Sequence, residues 1–299
     1  MNIENQPLVT LRISAYNHEQ FIEQALLSLV NQTYKNTEII VIDDGSKDRT
    51  PEILNELAGK YNFIFIQQEN NGLPSTLNRI SSLAKGKYIA GCASDDFLPL
   101  DKIEKQVSFL ESHNEIAVCG GNVISVNVDG SFRNEKASED NTFKIIEFED
   151  VFLHDKSIPT GTAMIRIDVL EEVGGFSSEY PVEDKYLWLK ITSNGYKIAR
   201  MNTVLQYYRK HDNNISNNCD FIIDNVKKCL DIYKSHNLYP KAINNFQAQN
   251  FNKYAGISRK HSVSAFCKIK WFLLDIESMK QIILGVVKYF NPRVLFGSY

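Results

Sequence analysis

Two adjacent carboxylates close an apolar run, Tyr88-Ile89-Ala90-Gly91-Cys92-Ala93-Ser94-Asp95-Asp96. A short apolar run of this kind is how a strand buried in a parallel sheet reads. Open α/β sheets bind ligands just beyond the carboxyl ends of such strands. Two acids placed there repel unless a cation stands between them, and a divalent metal takes oxygen ligands and often carries substrate phosphates. Asp95 and Asp96 are therefore candidates for a metal-diphosphate site. The alternative is that Ser94 or Asp95 caps the helix beyond Pro99. Two other strand ends carry polar groups, Ser14-Ala15-Tyr16 and Asp43-Asp44. A tyrosine can stack on a base, a carboxylate can accept the imide N–H of uracil, and a metal can neutralise a diphosphate. Together the three ends suit a nucleotide. Neither G-x-G-x-x-G nor G-x-x-x-x-G-K-[ST] occurs, so no glycine loop cradles phosphates and the metal must do so.

The elements that would position these groups can be read from periodicity. Residues 8–13 form an apolar, β-prone strand. Asn17 and Gln20 resemble a capping box ahead of Phe21, Ile22, Ala25, Leu26, Leu29 and Val30 at helical spacing. A strand over 38–42 leads to Asp43-Asp44-Gly45-Ser46. Thr50-Pro51 opens a helix that buries Leu54, Leu57 and Ala58. A strand over 62–67, a turn at 70–74, a helix over 75–84 and a strand over 88–92 follow. Strands alternating with helices at this spacing imply a parallel sheet with helical crossovers. A helix after Asp101 carries Ile103, Val107 and Leu110. Further strands are expected over 116–119, 123–128, 162–167 and 204–209, and a helix over 184–192.

Composition narrows the class. The chain has 299 residues, 43% hydrophobic and 23% charged, with a net charge of −3. Those are the proportions of an ordinary globular protein, and they give no electrostatic case for nucleic acid. Five cysteines without a C-x-x-C pair argue against a disulfide framework or a zinc site and favour a reducing cytoplasm. Residues 1–6 show no signal-peptide pattern. No apolar run is long enough to span a bilayer.

The ordered motifs carry a resemblance. Ser14-Ala15-Tyr16-Asn17, residues 28–34, Glu38 to Ser46, Asn71-Gly72-Leu73, Asn78-Arg79, residues 84–89 and Ser94-Asp95-Asp96 are followed by Gly174-Gly175-Phe176. Residues 183–189 and Tyr208-Arg209-Lys210-His211 with Asn214 and Ser216 complete the set. Over roughly residues 7–216 the chain resembles an inverting, non-processive family 2 glycosyltransferase of the GT-A fold. The resemblance implies an α/β fold with a mostly parallel sheet, helices on both faces and a C-terminal helical extension. The catalytic domain would cover 1–218, with a nucleotide-binding half (1–100) and an acceptor half (101–218), followed by a helical region over 219–299. Asp44 is similar to the acid that binds uracil, with Ser14 and Tyr16 beside the base. Asp95 and Asp96 are similar to the D-x-D motif, Asp95 towards the ribose and Asp96 on Mn²⁺ or Mg²⁺. Asp184 is similar to the catalytic base, and His211 to a late histidine near the metal or diphosphate. The implied partners are a UDP-sugar donor and a glycan acceptor, lipid-linked in many relatives that build bacterial surface polysaccharide.

Two positions depart from the family pattern. Thr76-Leu77-Asn78 replaces Ala-Arg-Asn. In Gln206-Tyr207-Tyr208-Arg209-Lys210 a lysine stands where processive synthases have tryptophan. A nucleotidyltransferase would want a basic, glycine-rich loop near the first strand, which residues 14–20 lack. A catalytically silent binding module would be expected to lose Asp96 or Asp184, and both are present.

The C-terminal region adds one more pattern. Phe266, Ile269, Phe272, Leu273, Ile276, Met279, Ile283, Val286, Val287 and Phe290 fall on one helical stripe. Lys268, Lys280 and Lys288 lie off it, with Arg293 beyond. Such a helix can lie in the headgroup plane of a membrane, so residues 266–293 are a candidate contact with the inner face of the cytoplasmic membrane. The alternative is packing on the chain's own core or on a second subunit.

Overall fold

The computed structural model describes residues 6–133, 139–212, 214–255 and 258–290. Arg293, at the far end of the expected stripe, and residues 1–5 at the start lie outside these.

The first half alternates as the sequence predicts. Strand β1 (Val9–Ala15) is followed by α1 (Ile22–Val30), β2 (Thr37–Asp43), α2 (Thr50–Ala58), β3 (Ile64–Gln67), α3 (Leu73–Leu83) and β4 (Tyr88–Gly91). Parallel pairing joins β1 to β2 and β4, and β2 to β3. β1 sits between two neighbours and is buried along almost its whole length, which is why its sequence reads as continuous rather than alternating apolar character. Leu11 and Ile13 join Leu26 and Leu29 of α1 and Leu54 of α2 in the main core.

The next elements are α4 (Lys102–Ser112), β5 (Ile116–Val126), β6 (Phe143–Ile146), α5 (Phe148–His154), β7 (Met164–Arg166), α6 (Ile167–Glu172), α7 (Glu183–Ser193) and β8 (Lys197–Arg209). Among the described residues the sheet has eight strands in the order β3-β2-β1-β4-β7-β5-β8-β6. β7 is antiparallel to both β4 and β5, β5 is parallel to β8, and β6 is antiparallel to β8. The sheet is thus mostly parallel with antiparallel insertions in its second half.

Three local expectations change. The capping box at Asn17 does not form: α1 starts at Ile22 with no side-chain cap. Asn17 is instead left-handed (φ 54°), and its Oδ1 accepts the Lys47 N–H at 2.7 Å. The strands expected over 116–119 and 123–128 are one strand, β5, carried through Gly120 and Gly121 by irregular register against β8. The strand ending at Arg209 begins at Lys197, seven residues before the expected 204.

By compactness the chain divides into one unit of residues 1–147 and 157–214 and a second of 148–156 and 215–299. The expected boundary stood at 218, and α5 was not assigned to the helical region. The second unit holds α5, α8 (Cys219–Asp231), α9 (Tyr239–Tyr254), α10 (Arg259–Cys267) and α11 (Ile276–Phe290). Its own small core gathers Ala248, Phe251, Ala265, Ile269 and Ile282. Gly285 lets α11 lie close on α9, since a Cβ there would stand 2.6 Å from the Phe251 ring. The expected continuous stripe from Phe266 is broken by a 3-10 turn at Trp271–Leu273. Among the described residues no helix is long and apolar enough to cross a membrane.

Candidate active site

Three strand exits form the site, and each is fixed by backbone geometry before any side chain acts. β1 ends at Ala15, whose register partner is Asp43 of β2. β4 ends at Gly91, and the chain turns through Ser94, Asp95 and Asp96. The end of β8 crosses this turn: Phe97 and Tyr207 exchange two backbone hydrogen bonds (3.3 and 2.9 Å). Residues more than a hundred positions apart in sequence therefore share one wall.

The two adjacent aspartates face different surroundings. Asp96 is 1% exposed. Its Oδ1 accepts the Arg209 N–H at 2.8 Å and its Oδ2 accepts from Gln206 Nε2. Burial, and then the charge of Asp95, push its pKa up to about 7, against the pull of the Arg209 N–H and Gln206. Asp95 turns to the histidines: its Oδ2 lies 3.0 Å from His211 Nε2 and 4.0 Å from His18 Nε2. The ligand atoms of His18, Asp95 and His211 all lie within 4.8 Å of one another.

This trio is held from behind. His18 Nδ1 bonds Ser94 Oγ at 2.7 Å, which leaves Nε2 as the nitrogen facing Asp95. Burial lowers the pKa of His18, Asp95 opposes that shift, and His211 adds to it. The backbone N–H of His211 donates to Asn214 Oδ1 at 2.7 Å, and Phe21 stacks on its ring at 5.3 Å. Arg209 lies over the same Phe21 ring at 4.8 Å. Its guanidinium donates to the carbonyls of Asp95 (2.7 Å) and Val128 (2.5 Å) and to Gln24 Oε1 (2.6 Å). Arg209 therefore braces the turn.

The chemistry of the trio fits a divalent cation. One carboxylate oxygen and two imidazole nitrogens converge, each imidazole is oriented by a neighbour, and imidazole suits a transition ion better than Mg²⁺. The sequence expectation put Asp96 on the metal and Asp95 towards the ribose. In the fold the oxygen beside both histidines belongs to Asp95, while both Asp96 oxygens meet donors of the chain itself.

The other expected residues lie in separate hydrogen-bond sets. Asp44 is buried; its Oδ1 accepts from the Asn71 N–H (2.9 Å) and Gln68 Nε2 (2.7 Å), and its Oδ2 from the Gly72 N–H (2.9 Å). Gln68 also donates to Thr76 Oγ1 and accepts from Arg79 Nη1. Thr76 and Arg79, at and beside the departure from the family pattern, thus join the Asp44 set. Asp43 binds the Ser46 N–H at 3.1 Å and shapes its own loop. Tyr16 is exposed, and Ser14 is half-buried at the end of β1.

Asp184 stands in the first turn of α7, where its Oδ1 accepts the Lys185 N–H at 2.6 Å. A carboxylate is favoured at a helix N-terminus. Burial and the charge of Asp184 push the neighbouring Glu183 up to about 8, with Arg12 of β1 opposing. Arg12 packs against Gly91, where a Cβ would stand 3.0 Å from its guanidinium carbon. Burial lowers Arg12 to about 10.

Sequence reasoning missed several of these residues. His18 follows the Ser-Ala-Tyr-Asn motif directly, but nothing local says that its ring turns to Asp95. Gln206 enters the sequence reading only for processivity and Arg209 for processivity and as a motif member, although their strand-end position is a usable signal. Lys102 is wholly buried, with Nζ donating to Gly91 O (3.1 Å) and Gly161 O (2.6 Å). Burial lowers its pKa to about 8. Gly161 presses on Gln206, since a Cβ there would stand 2.5 Å from the amide nitrogen. A buried path thus runs from Lys102 through Gly161 and Gln206 to Asp96.

Known proteins place this fold. Residues 10–174 match the family described as glycosyl transferase family 2. A glycosyltransferase of Haemophilus influenzae is 32% identical over 231 residues, 72% of this chain and 69% of its own length. The Escherichia coli UDP-Glc:alpha-D-GlcNAc-diphosphoundecaprenol beta-1,3-glucosyltransferase WfaP is 30% identical over 220 residues, 71% of this chain and 80% of its own. Two solved structures share the fold at low identity. S. aureus TarS 1-349 in complex with UDP-GlcNAc has TM-score 0.65 at 19% identity, over 95% of this chain and 80% of that one. The mannosyltransferase PcManGT from Pyrobaculum calidifontis, in complex with GDP-Man and Mn²⁺, has TM-score 0.62 at 14% identity, over 97% and 89%.

Proposed function

The chain belongs to glycosyl transferase family 2 and is a glycosyltransferase, and from that premise we propose that it moves a sugar from a UDP-sugar to a hydroxyl of a glycan acceptor, inverting the anomeric carbon. The observation that carries this reading is the convergence of Asp95, His211 and His18 at the crossing of the β4 and β8 ends. UDP as the nucleotide is supported by the UDP-GlcNAc complex of TarS and by the donor in the name of WfaP. The same name supports a lipid-linked acceptor in polysaccharide synthesis. A peripheral membrane contact through the C-terminal helices belongs to this reading.

The roles follow from the geometry. Asp95 with His211 and His18 would hold a divalent ion, and the nitrogen-rich set favours Mn²⁺ over Mg²⁺. When bound, that ion supplies counter-charge for the diphosphate of the donor and of the departing UDP. Asp96 fixes the turn that presents Asp95, through Arg209 and Gln206. This moves the metal from Asp96 to Asp95 and leaves Asp96 a positioning part, and what supports the change is the burial of Asp96 with both oxygens engaged. Asp44 orders the loop at 68–72 that would border the uracil, with Ser14 and Tyr16 at the neighbouring strand end. Asp184 accepts the proton of the acceptor hydroxyl as it attacks. Beside it, burial and the charge of Asp184 raise the Glu183 carboxyl to about 8. One displacement inverts the configuration without a covalent intermediate.

The test is release of UDP from a panel of UDP-sugars, measured with and without EDTA and after adding back Mn²⁺ or Mg²⁺. The reading expects turnover with at least one donor, loss in EDTA and recovery best with Mn²⁺. Turnover untouched by EDTA would refute the metal site, and binding of none of the donors would refute the nucleotide assignment.

A further inference from the structure

The outer surface of the C-terminal helical unit is apolar where a water-facing helix should be polar. On α11, Ser278, Ile282 and Gly285 face inward. The opposite face carries Ile276, Met279, Ile283, Val286 and Val287, with Ile276 75% and Ile283 61% exposed. The turn just before α11 presents Trp271 and Phe272, exposed by 58% and 83%. Scattered apolar residues are normal on a surface, but a continuous face of them marks an interaction site.

Charge says what the face meets. Residues 258–290 hold six basic and two acidic residues, a net charge of +4 in a chain of −3. Both acids have basic partners: Asp275 binds Lys241 at 3.2 Å and the Ser278 N–H at 2.8 Å, and Glu277 lies 3.8 Å from Lys280. Lys268 and Lys270 directly precede the exposed aromatic pair in sequence. A twofold contact sets a patch against itself, so the same positive net charge would face it from the other copy. An anionic lipid surface instead accepts the apolar face and the lysines together.

A cavity beside the turn adds a phosphate-binding feature. It has a volume of about 280 Å³ and is lined by Tyr239, Pro240, Ile243, Asn244, Lys268 and Lys270. Asn244 is 2% exposed. Its Oδ1 accepts the Lys270 N–H at 2.5 Å, while its Nδ2 has no hydrogen-bond partner among the described residues. A buried donor left unpaired is costly. An acceptor-only group such as phosphate would satisfy it together with the two ammonium groups.

We propose that this unit docks on an anionic phospholipid membrane, with Trp271, Phe272 and the outer face of α11 in the interface and a lipid phosphate held by Lys268, Lys270 and Asn244. The chain has two tryptophans. Trp188 is buried and donates to Ile158 O at 3.1 Å, so a change in emission on docking reads Trp271. The experiment titrates the full chain with phosphatidylcholine vesicles, with and without phosphatidylglycerol, following emission and co-flotation. The expected result is a blue shift and flotation only with phosphatidylglycerol. Ile283→Glu, an exposed position, should weaken binding roughly tenfold or more, and Lys268→Gln with Lys270→Gln roughly fivefold per charge. Circular dichroism should match the parent in each variant. Absence of binding to phosphatidylglycerol vesicles overturns the proposal. So does a dimer in light scattering that Ile283→Glu dissolves, which would make the face an interface between copies. Full-strength binding by the double lysine variant would refute the phosphate cavity.

Discussion

Replacing Asp96 by asparagine should change how stability depends on pH, and the structure gives both the sign and the size. Burial and the charge of Asp95 raise the Asp96 carboxyl from 3.8 to about 7. Below the unfolded value both states hold the proton. Between 3.8 and about 7 the unfolded chain releases it while the folded chain keeps it, so this group's contribution to stability falls as pH rises through that window. At 1.36 kcal/mol per unit of pKa difference, the loss reaches at most roughly 4 kcal/mol. An asparagine carries no charge to bury. Its amide needs an acceptor where the carboxylate accepted a hydrogen bond from Gln206 Nε2, and among the described residues the buried Gln206 Oε1 has no partner. Turning the Gln206 amide would give the new amide its acceptor. Urea unfolding in EDTA, across the acid-to-neutral range, should therefore find Asp96→Asn close to the parent near pH 4. Above pH ~7 the variant should be the more stable, by up to roughly 4 kcal/mol. A difference that does not vary with pH, or a variant that loses ground as pH rises, would refute the reasoning.

Other outcomes follow from the same geometry. Asp184→Asn should keep donor affinity and lose turnover by roughly a hundredfold or more, as for loss of a general base; a titration of UDP-sugar binding beside single-turnover rates checks this. Glu183→Gln should keep turnover near neutral pH and flatten its change around pH 8, where the native carboxyl ionises; the pH–rate profile is the measurement. Lys102→Met should remove the donors to Gly91 O and Gly161 O and destabilise the chain by about 1–3 kcal/mol through unpaired carbonyls. Lys102→Arg should fail to restore it because a planar guanidinium presents its donors in a fixed fork rather than as a compact ammonium, which thermal unfolding would show.

The sequence made the first half of the sheet legible because each strand there is followed by a helix with a clear apolar stripe. Asp44 and Asp95-Asp96 could be placed at strand ends for the same reason. Which of the two adjacent aspartates faces the histidines was not legible. That depends on Gln206 and Arg209, 110 and 113 positions further on, and no local pattern records the crossing. His18 was hidden in the same way, since its role comes from packing against Ser94. The stretch from β6 to α5 escaped detection because Phe143 to His154 shows neither strict alternation nor a long helical repeat. In the C-terminal region the apolar stripe was readable, but its break at Trp271–Leu273 was not, because Lys270 and Trp271 carry no strong turn signal.

The most direct test is Mn²⁺ binding measured by electron paramagnetic resonance in the presence of UDP, comparing the parent chain with Asp95→Asn, His211→Ala and Asp96→Asn. The account predicts that the first two variants lose the bound-ion signal while Asp96→Asn retains it. Retention by Asp95→Asn with loss in Asp96→Asn would contradict it, returning the metal to the aspartate that the fold buries.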